Sequence, residues 1–234
     1  MEGFGEMVAH LCDLYQAAPG MAERGERVIT TDELSGVQAL ERLHPTLPMR
    51  PGQVERQEFE YVRHGTATFL LSRDVATGQV LAPMAGRTRT ELDFAAHVQG
   101  VVATAPEVPR WHFVADNLDI HLSETLVRWV AAVSGVEADL GKKGKTGVLR
   151  NRASRRAFLN DESHFVVFHY TPKHSSWMNQ MEIWLSILSR KVLRRGSFTS
   201  VEHLHERVLA FIEYYNRTMA KPFQWTYRGK ALVA

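Results

Sequence analysis

Apolar residues open the chain at helical spacing. Phe4, Met7, Val8, Leu11, Leu14 and Tyr15 recur three and four positions apart, which predicts a short amphipathic helix closed by Pro19-Gly20. After Gly25 the period changes. RVITTDE is a β-branched run ending in two acids, and it predicts a first strand with Asp32 at its carboxyl end. The segment HPTLPMRPGQ carries Pro45, Pro48 and Pro51, which exclude regular structure and predict an exposed loop. Strand patterns resume at Glu58 to Val62 and at Thr66 to Asp74, and after an ATGQ turn a third begins near Val80, giving an antiparallel meander.

From Thr90-Glu91 the apolar spacing becomes helical again through Phe94, Val98 and Val101-Val102, until Pro106 and Pro109 break it. WHFVADN predicts a short buried strand ending at Asp116. SETLVRWVAAVSG predicts a helix with Ser123 as its N-cap and Gly135 past its end. A further strand, HFVVFHY, precedes Pro172. Two helices close the pattern, Ser176 to Arg194 and Val201 to Asn216, the second with Thr199 and Glu202 spaced as a capping box. Strands, helix, strand, helix, strand, helices is the order of a ribonuclease-H-like α/β fold with a mixed sheet flanked by helices.

Composition narrows this picture. At 234 residues and 44% apolar content the chain supports one sizeable core. A formal charge of +2 excludes a globally basic surface, so any nucleic-acid footprint must be local. One cysteine, Cys12, excludes a disulfide framework and fits a reducing, cytoplasmic setting. No signal-peptide pattern and no apolar window of membrane length are present.

Three acids carry the candidate chemistry. Phosphodiester cleavage at neutral pH needs an activated nucleophile and a stabilised leaving oxygen, and a pair of magnesium ions held by a few carboxylates supplies both. Asp32 and Asp116 each follow an apolar strand, so parallel pairing would bring them together. Glu182 lies on a helix whose core stripe is Met178, Met181, Leu185, Leu188 and Val192; one row over run Ser175, Asn179, Glu182, Ser186 and Ser189, leaving room for a hydrated ion. Asp119 is a rival to Asp116, and Glu33 to Asp32. Asn117 and Asn179 are placed to support the carboxylates.

These residues also carry a family likeness. TTDE around Asp32, VRHGT from Val62, VADN followed by His121, and YTPKHSSWMNQMEIW leading into RKVLRRGSF resemble the bacterial insertion-sequence-630 transposases, relatives of the mariner-type DDE transposases, from about Val28 to Tyr227. The resemblance implies a ribonuclease-H-like catalytic domain over 28–220, after a helical segment 1–27 and before a tail 221–234. It implies an Asp32, Asp116, Glu182 triad binding two Mg2+ ions, with Mn2+ as substitute, for strand cleavage and transfer on double-stranded DNA, and a homo-oligomer on that DNA. Family members begin with a helix-turn-helix region, and only about thirty residues precede Asp32, so an upstream-encoded helix-turn-helix portion is an expected partner. The later two acids lie 182 − 116 = 66 positions apart, wider than the mid-thirties spacing of the mariner type, which marks about 136–162 as an insertion. A hydrolysing nuclease of the same fold and a non-catalytic DNA-binding remnant are the alternatives.

That insertion carries Lys142, Lys143, Lys145, Arg150, Arg152, Arg155 and Arg156 with no acid between Gly141 and Arg156, so it is read as a phosphate-binding arm. Arg190, Lys191, Arg194 and Arg195 end the Glu182 helix, where cations complement the helix dipole and also suit DNA. Lys173 and His174, just before that helix, are placed to meet the DNA backbone. Trp177 and Trp184 read as core, and Phe223, Trp225 and Tyr227 as an edge segment packing back on the domain. GKKGKTG lacks the first glycine of a P-loop, and the five-residue spacing of His164, His169 and His174 suits no shared face for zinc.

Overall fold

The structure, a computed structural model, describes residues 3–227 of 234; the remainder of the predicted tail lies outside the described residues. Five strands form one sheet in the order β3-β2-β1-β4-β5: β1 Arg27–Arg42, β2 Tyr61–Asp74, β3 Val80–Gly86, β4 Trp111–Ala115 and β5 Val166–Tyr170. β1, β2 and β3 pair antiparallel, and β1, β4 and β5 run parallel, so the sheet is mixed as the element order predicts. β4 and β5 are buried along their whole length, which is why they read as short continuous apolar runs.

Helices cover both faces. α2 (Glu91–Val102), α3 (Glu124–Val133) and α4 (Arg152–Leu159) lie on one side, around Phe94, Val98, Leu126, Val130 and Leu159 with Ile29, Phe113 and Phe168 from the sheet. On the other side, α5 (Gln180–Leu188) and α6 (Val201–Thr218) enclose Trp184, Leu188, Leu204 and Val208 against Phe69 and Leu71. α1 (Phe4–Glu23) packs there too, with Leu11 and Tyr15 near Val28 and Val114, and the Tyr15 hydroxyl donates to the Met178 carbonyl at 2.9 Å. Ser123 caps α3 as its sequence predicts, and Thr90, where the helical pattern opens, caps α2.

Several expectations are corrected. α1 does not close at Pro19; it runs on to Glu23, because Ala18 and Met21 extend the buried stripe beyond the proline. The strand segments expected at 58–62 and 66–74 are one strand, β2, paired with a β1 that continues ten residues past Asp32 through two register shifts, so Asp32 sits within a strand rather than at its end. The last helix is capped by Ser200, whose hydroxyl accepts from the His203 amide, and not by Thr199. The helix expected over 176–194 is divided into a 3-10 turn at Ser176–Met178, α5, and a π turn at Ser189–Leu193. Trp184 is buried as expected, but Trp177 is 51% exposed, edge-on to Tyr227. The described part of the tail packs back without forming a strand: Phe223 lies 3.7 Å from the Arg73 guanidinium and Trp225 against Tyr15.

Candidate active site

Parallel pairing of β1 with β4 matches Thr30 to Val114, so Asp32 and Asp116 stand two residues beyond the last matched pair on neighbouring strands. α5 arrives from the other side of the chain, and Asn179 docks it. The Asn179 carbonyl oxygen accepts from the Met181 amide and so caps the helix, while its amide nitrogen donates to the Thr31 carbonyl at 2.8 Å and lies 3.4 Å from Asp32 Oδ2. One buried side chain therefore fixes the first turn of α5, which carries Glu182, against the strand that carries Asp32. Glu182 itself is exposed.

The electrostatics record the gathering of the acids. Burial pushes the Asp32 carboxyl up to about 7, and the negative charges of Glu33, Asp116 and Glu182 add to that against the opposing hydrogen bond from the Glu33 amide. Burial also acts to raise Asp116, but the hydrogen bond and charge of His121 overcome it and hold that carboxyl below its usual value. No three Asp, Glu, His or Cys side chains among the described residues form a ready-made metal cage. The donor set nonetheless fits a hard divalent cation: it offers carboxylate oxygens, and the acids around Asp32 carry negative charge that a cation would neutralise.

Its two rivals are otherwise engaged. Glu33, on the opposite face of β1, is buried with its carboxylate on His121 Nε2, and His121 Nδ1 donates to Asp116 Oδ1 at 2.8 Å. Burial works against the charge on this imidazole, yet its bonds to Asp116 and Glu33 push its pKa up to about 10, so both ring nitrogens donate at neutral pH. Phe94 packs 4.2 Å from the ring, and the Tyr170 hydroxyl donates to the His121 carbonyl. Asp119 points outward and pairs with Arg152 at 2.7 Å. The sequence named His121 only as part of a motif; its tie to Glu33, 88 positions away, left no local signal.

The expected basic arm is differently built. Instead of an irregular loop, the insertion contains α4, started by a reciprocal cap between Asn151 and Ser154. Three of its seven cations bond to groups elsewhere in the fold, Arg152 while remaining half-exposed. Arg152 donates to the Asn117 carbonyl at 2.6 Å, Arg156 to Asn117 Oδ1 at 2.9 Å while lying over the Tyr170 ring, and Arg155 to the Leu122 carbonyl. Asn117 completes the brace by donating to the Thr171 carbonyl. Lys142, Lys143, Lys145 and Arg150 face solvent, with Lys143 3.5 Å from Glu91. Lys173 and His174 are exposed at the rim of a cavity of about 380 Å³ that Asp116, Thr171 and Ser175 also line, and His174 takes a left-handed backbone at φ 61°. Arg190, Lys191, Arg194 and Arg195 lie at the far end of α5, in and after the π turn.

A mixed five-stranded sheet with helices on both faces, with acids on two neighbouring parallel strands and on a docked helix, is the architecture of a ribonuclease-H-like domain. The chain belongs to the DDE superfamily endonucleases, whose family model matches residues 27–205. Among solved structures it is similar to the Mos1 mariner paired end complex with Mn, at 15% identity and a TM-score of 0.50 over 93% of this chain, and to the Mos1 strand transfer complex, at 14% identity and 0.50 over 91%. It spans 58% and 57% of those two chains, respectively. No curated protein matches it by sequence.

Proposed function

We propose that this chain is the catalytic domain of a DNA transposase, which cleaves DNA strands and joins them to a target. Asp32, Asp116 and Glu182 would hold two Mg2+ ions, or Mn2+ in their place. The observation that carries the reading is the placement of the acids: Asp32 and Asp116 stand just past the parallel pairing of β1 with β4, and Asn179 ties the first turn of α5, which carries Glu182, to Thr31 and Asp32. Such ions activate the attacking oxygen and neutralise charge on the leaving oxygen.

The chain's own residues do the rest. Asn179 holds α5 against β1 and so fixes the approach of Glu182 to Asp32. His121 engages Oδ1 of Asp116 and keeps Glu33 out of the donor set. Arg152 and Arg156 steady the loop after β4 through Asn117, and Lys173 and His174 at the cavity rim are placed to meet the DNA backbone. The Mos1 neighbours, one a complex with Mn and one a strand transfer complex, support extending metal-dependent strand chemistry to this chain. A homo-oligomer assembled on DNA belongs to the same reading.

The test is a strand-cleavage and strand-joining assay on plasmid DNA with Mg2+ or Mn2+, wild type against Glu182→Gln. Nicking and joining should depend on the cation and fall by roughly a hundredfold or more in the variant, which loses an ion ligand without gaining bulk. Its DNA affinity should stay near wild type. Nicking without joining supports a hydrolysing nuclease, and DNA binding with neither reaction supports a non-catalytic role. Full cleavage by Glu182→Gln refutes the triad.

A further inference from the structure

Beyond the end of α5 lies a second cavity, of about 360 Å³, walled by the last turns of one helix and the first turns of the next. Lys191, Arg195 and Arg207 line it with His203 and Ser197, and no acid does. Lys191, in the π turn, and Arg195, four positions on and just past it, line one wall, and His203 and Arg207, four apart on α6, line the other. Like charges at that spacing cost a few tenths of a kcal/mol. Nothing inside the protein offsets the cost, since none of the three cations makes a hydrogen bond or ion pair among the described residues. The His203 ring also lines the recess, its Nδ1 accepting from the Thr199 amide at 3.3 Å.

The cavity is held open by its frame. The π turn Ser189–Leu193 shifts the helical register of the wall that carries Lys191. Gly196 lets the buried Phe198 ring lie where any Cβ would collide with it. The Phe198 amide donates to the Leu40 carbonyl at 2.7 Å, and the Arg42 amide to the Ser197 hydroxyl at 3.0 Å, so the wall is fastened to the far end of β1. Three unpaired cations converging on a rigid, acid-free recess form a site for a phosphate oxyanion.

The geometry points to a second DNA contact: this recess takes a backbone phosphate of the duplex whose scissile bond lies at Asp32, Asp116 and Glu182. The inference rests on the reading proposed above. Lys191 lies nine positions beyond Glu182, in the π turn that follows α5, and Arg195 four further on, just past that turn, which puts the recess roughly 14–20 Å from the acids at about 1.5 Å per residue. At 3.4 Å of rise per base pair, that is about four to six base pairs from the scissile phosphate. The contact reads no bases; it sets the minimum length of duplex the chain grips.

The test compares duplexes extending about 3 and about 12 base pairs past the cleavage point, by fluorescence anisotropy across a salt series, for wild type and the Lys191→Ala, Arg195→Ala, Arg207→Ala triple variant. All three positions are exposed, so the fold should survive, and circular dichroism checks it. Wild type should bind the longer duplex more tightly, and the variant should lose roughly tenfold or more on it, with the salt slope reduced by about 1 and little change on the short duplex. Equal affinity and slope for both proteins on the longer duplex overturns the site while leaving cleavage and the triad standing. A recess that takes only free phosphate would show thermal stabilisation by inorganic phosphate with no effect of the variant on duplex binding, and that also overturns it. Failure of the wild type to bind either duplex sinks the transposase reading and this inference together.

Discussion

Replacing Asp32 by Asn should make the metal-free protein more stable while destroying its activity. Burial and the nearby acids push Asp32 up to about 7 from an ordinary 3.8. The folded state thus holds this proton more tightly than the unfolded chain does, so stability falls as pH rises from about 4 to about 7, and the whole penalty is present above 7. At 1.36 kcal/mol for each tenfold change in proton affinity the penalty is about 4 kcal/mol, and solvent entering the site reduces it to about 2–4 kcal/mol. For a chain of this length each kcal/mol moves the melting temperature by about 2–4 °C, which predicts a gain of roughly 5–15 °C at pH 8 in EDTA. At pH 4, where Asp32 is protonated and Asn is its near isostere, the two proteins should melt together. Magnesium should stabilise wild type at pH 8, by about 2.7 kcal/mol at a hundredfold excess over its Kd, and Asp32→Asn far less. Differential scanning fluorimetry from pH 4 to 8, with and without magnesium, measures all of this. An Asn variant that melts at or below wild type at pH 8, or a difference that persists unchanged at pH 4, refutes the reasoning.

Three other substitutions probe what frames the site. His121→Asn should cost about 3–5 kcal/mol in urea unfolding at pH 6, because Glu33 is left buried without its partner; the histidine's contribution is complete below about 6.5 and is lost as pH rises through about 10, so the gap should narrow at pH 10 and a gap that widens there contradicts the assignment. Gly78→Ala should destabilise by about 1–2 kcal/mol and speed proteolysis near Lys221, because Gly78 has φ 80° and any Cβ would overlap the Lys221 backbone whose carbonyl holds Arg73; unchanged protease resistance would count against that packing. Trp184→Ala should cost about 3–5 kcal/mol by chemical denaturation, since the fully buried indole lies between the sheet and α6, and a loss under 1 kcal/mol would mean the helix packs otherwise.

Legibility in the sequence followed burial and local signals. β4, β5, the start of α2 at Thr90-Glu91 and the cap at Ser123 were readable because each is specified within a few residues. The second half of β1 was not: LSGVQALER mixes polar and apolar residues without strict alternation and is glycine-interrupted, and it is a strand because β2 pairs with it, a cause remote in the chain. α4 was missed for a related reason. RASRRAFL has only one fully buried residue, Leu159, and its helix rests on a cap and on arginines that find carbonyls elsewhere in the fold. Asp32, Asp116 and Glu182 could be nominated because each borders an apolar pattern, but Glu33 looked as good as Asp32 until strand alternation sent the two carboxylates to opposite faces.

The arginines of α4 change how charge in this chain should be counted. A run of seven cations without an acid looks in sequence like one binding surface, yet Arg152, Arg155 and Arg156 spend their donors on the Asn117 and Leu122 carbonyls and on Asn117 Oδ1. Asn117 adjoins Asp116, so this helix braces the loop that presents one of the acids. Lys191, Arg195 and Arg207, split between two helices and never forming a run, keep their charges unspent and aim them into one recess. A cation's part in holding DNA depends on whether the fold has already given it an acceptor, and that is decided by contacts that sequence clustering does not reveal.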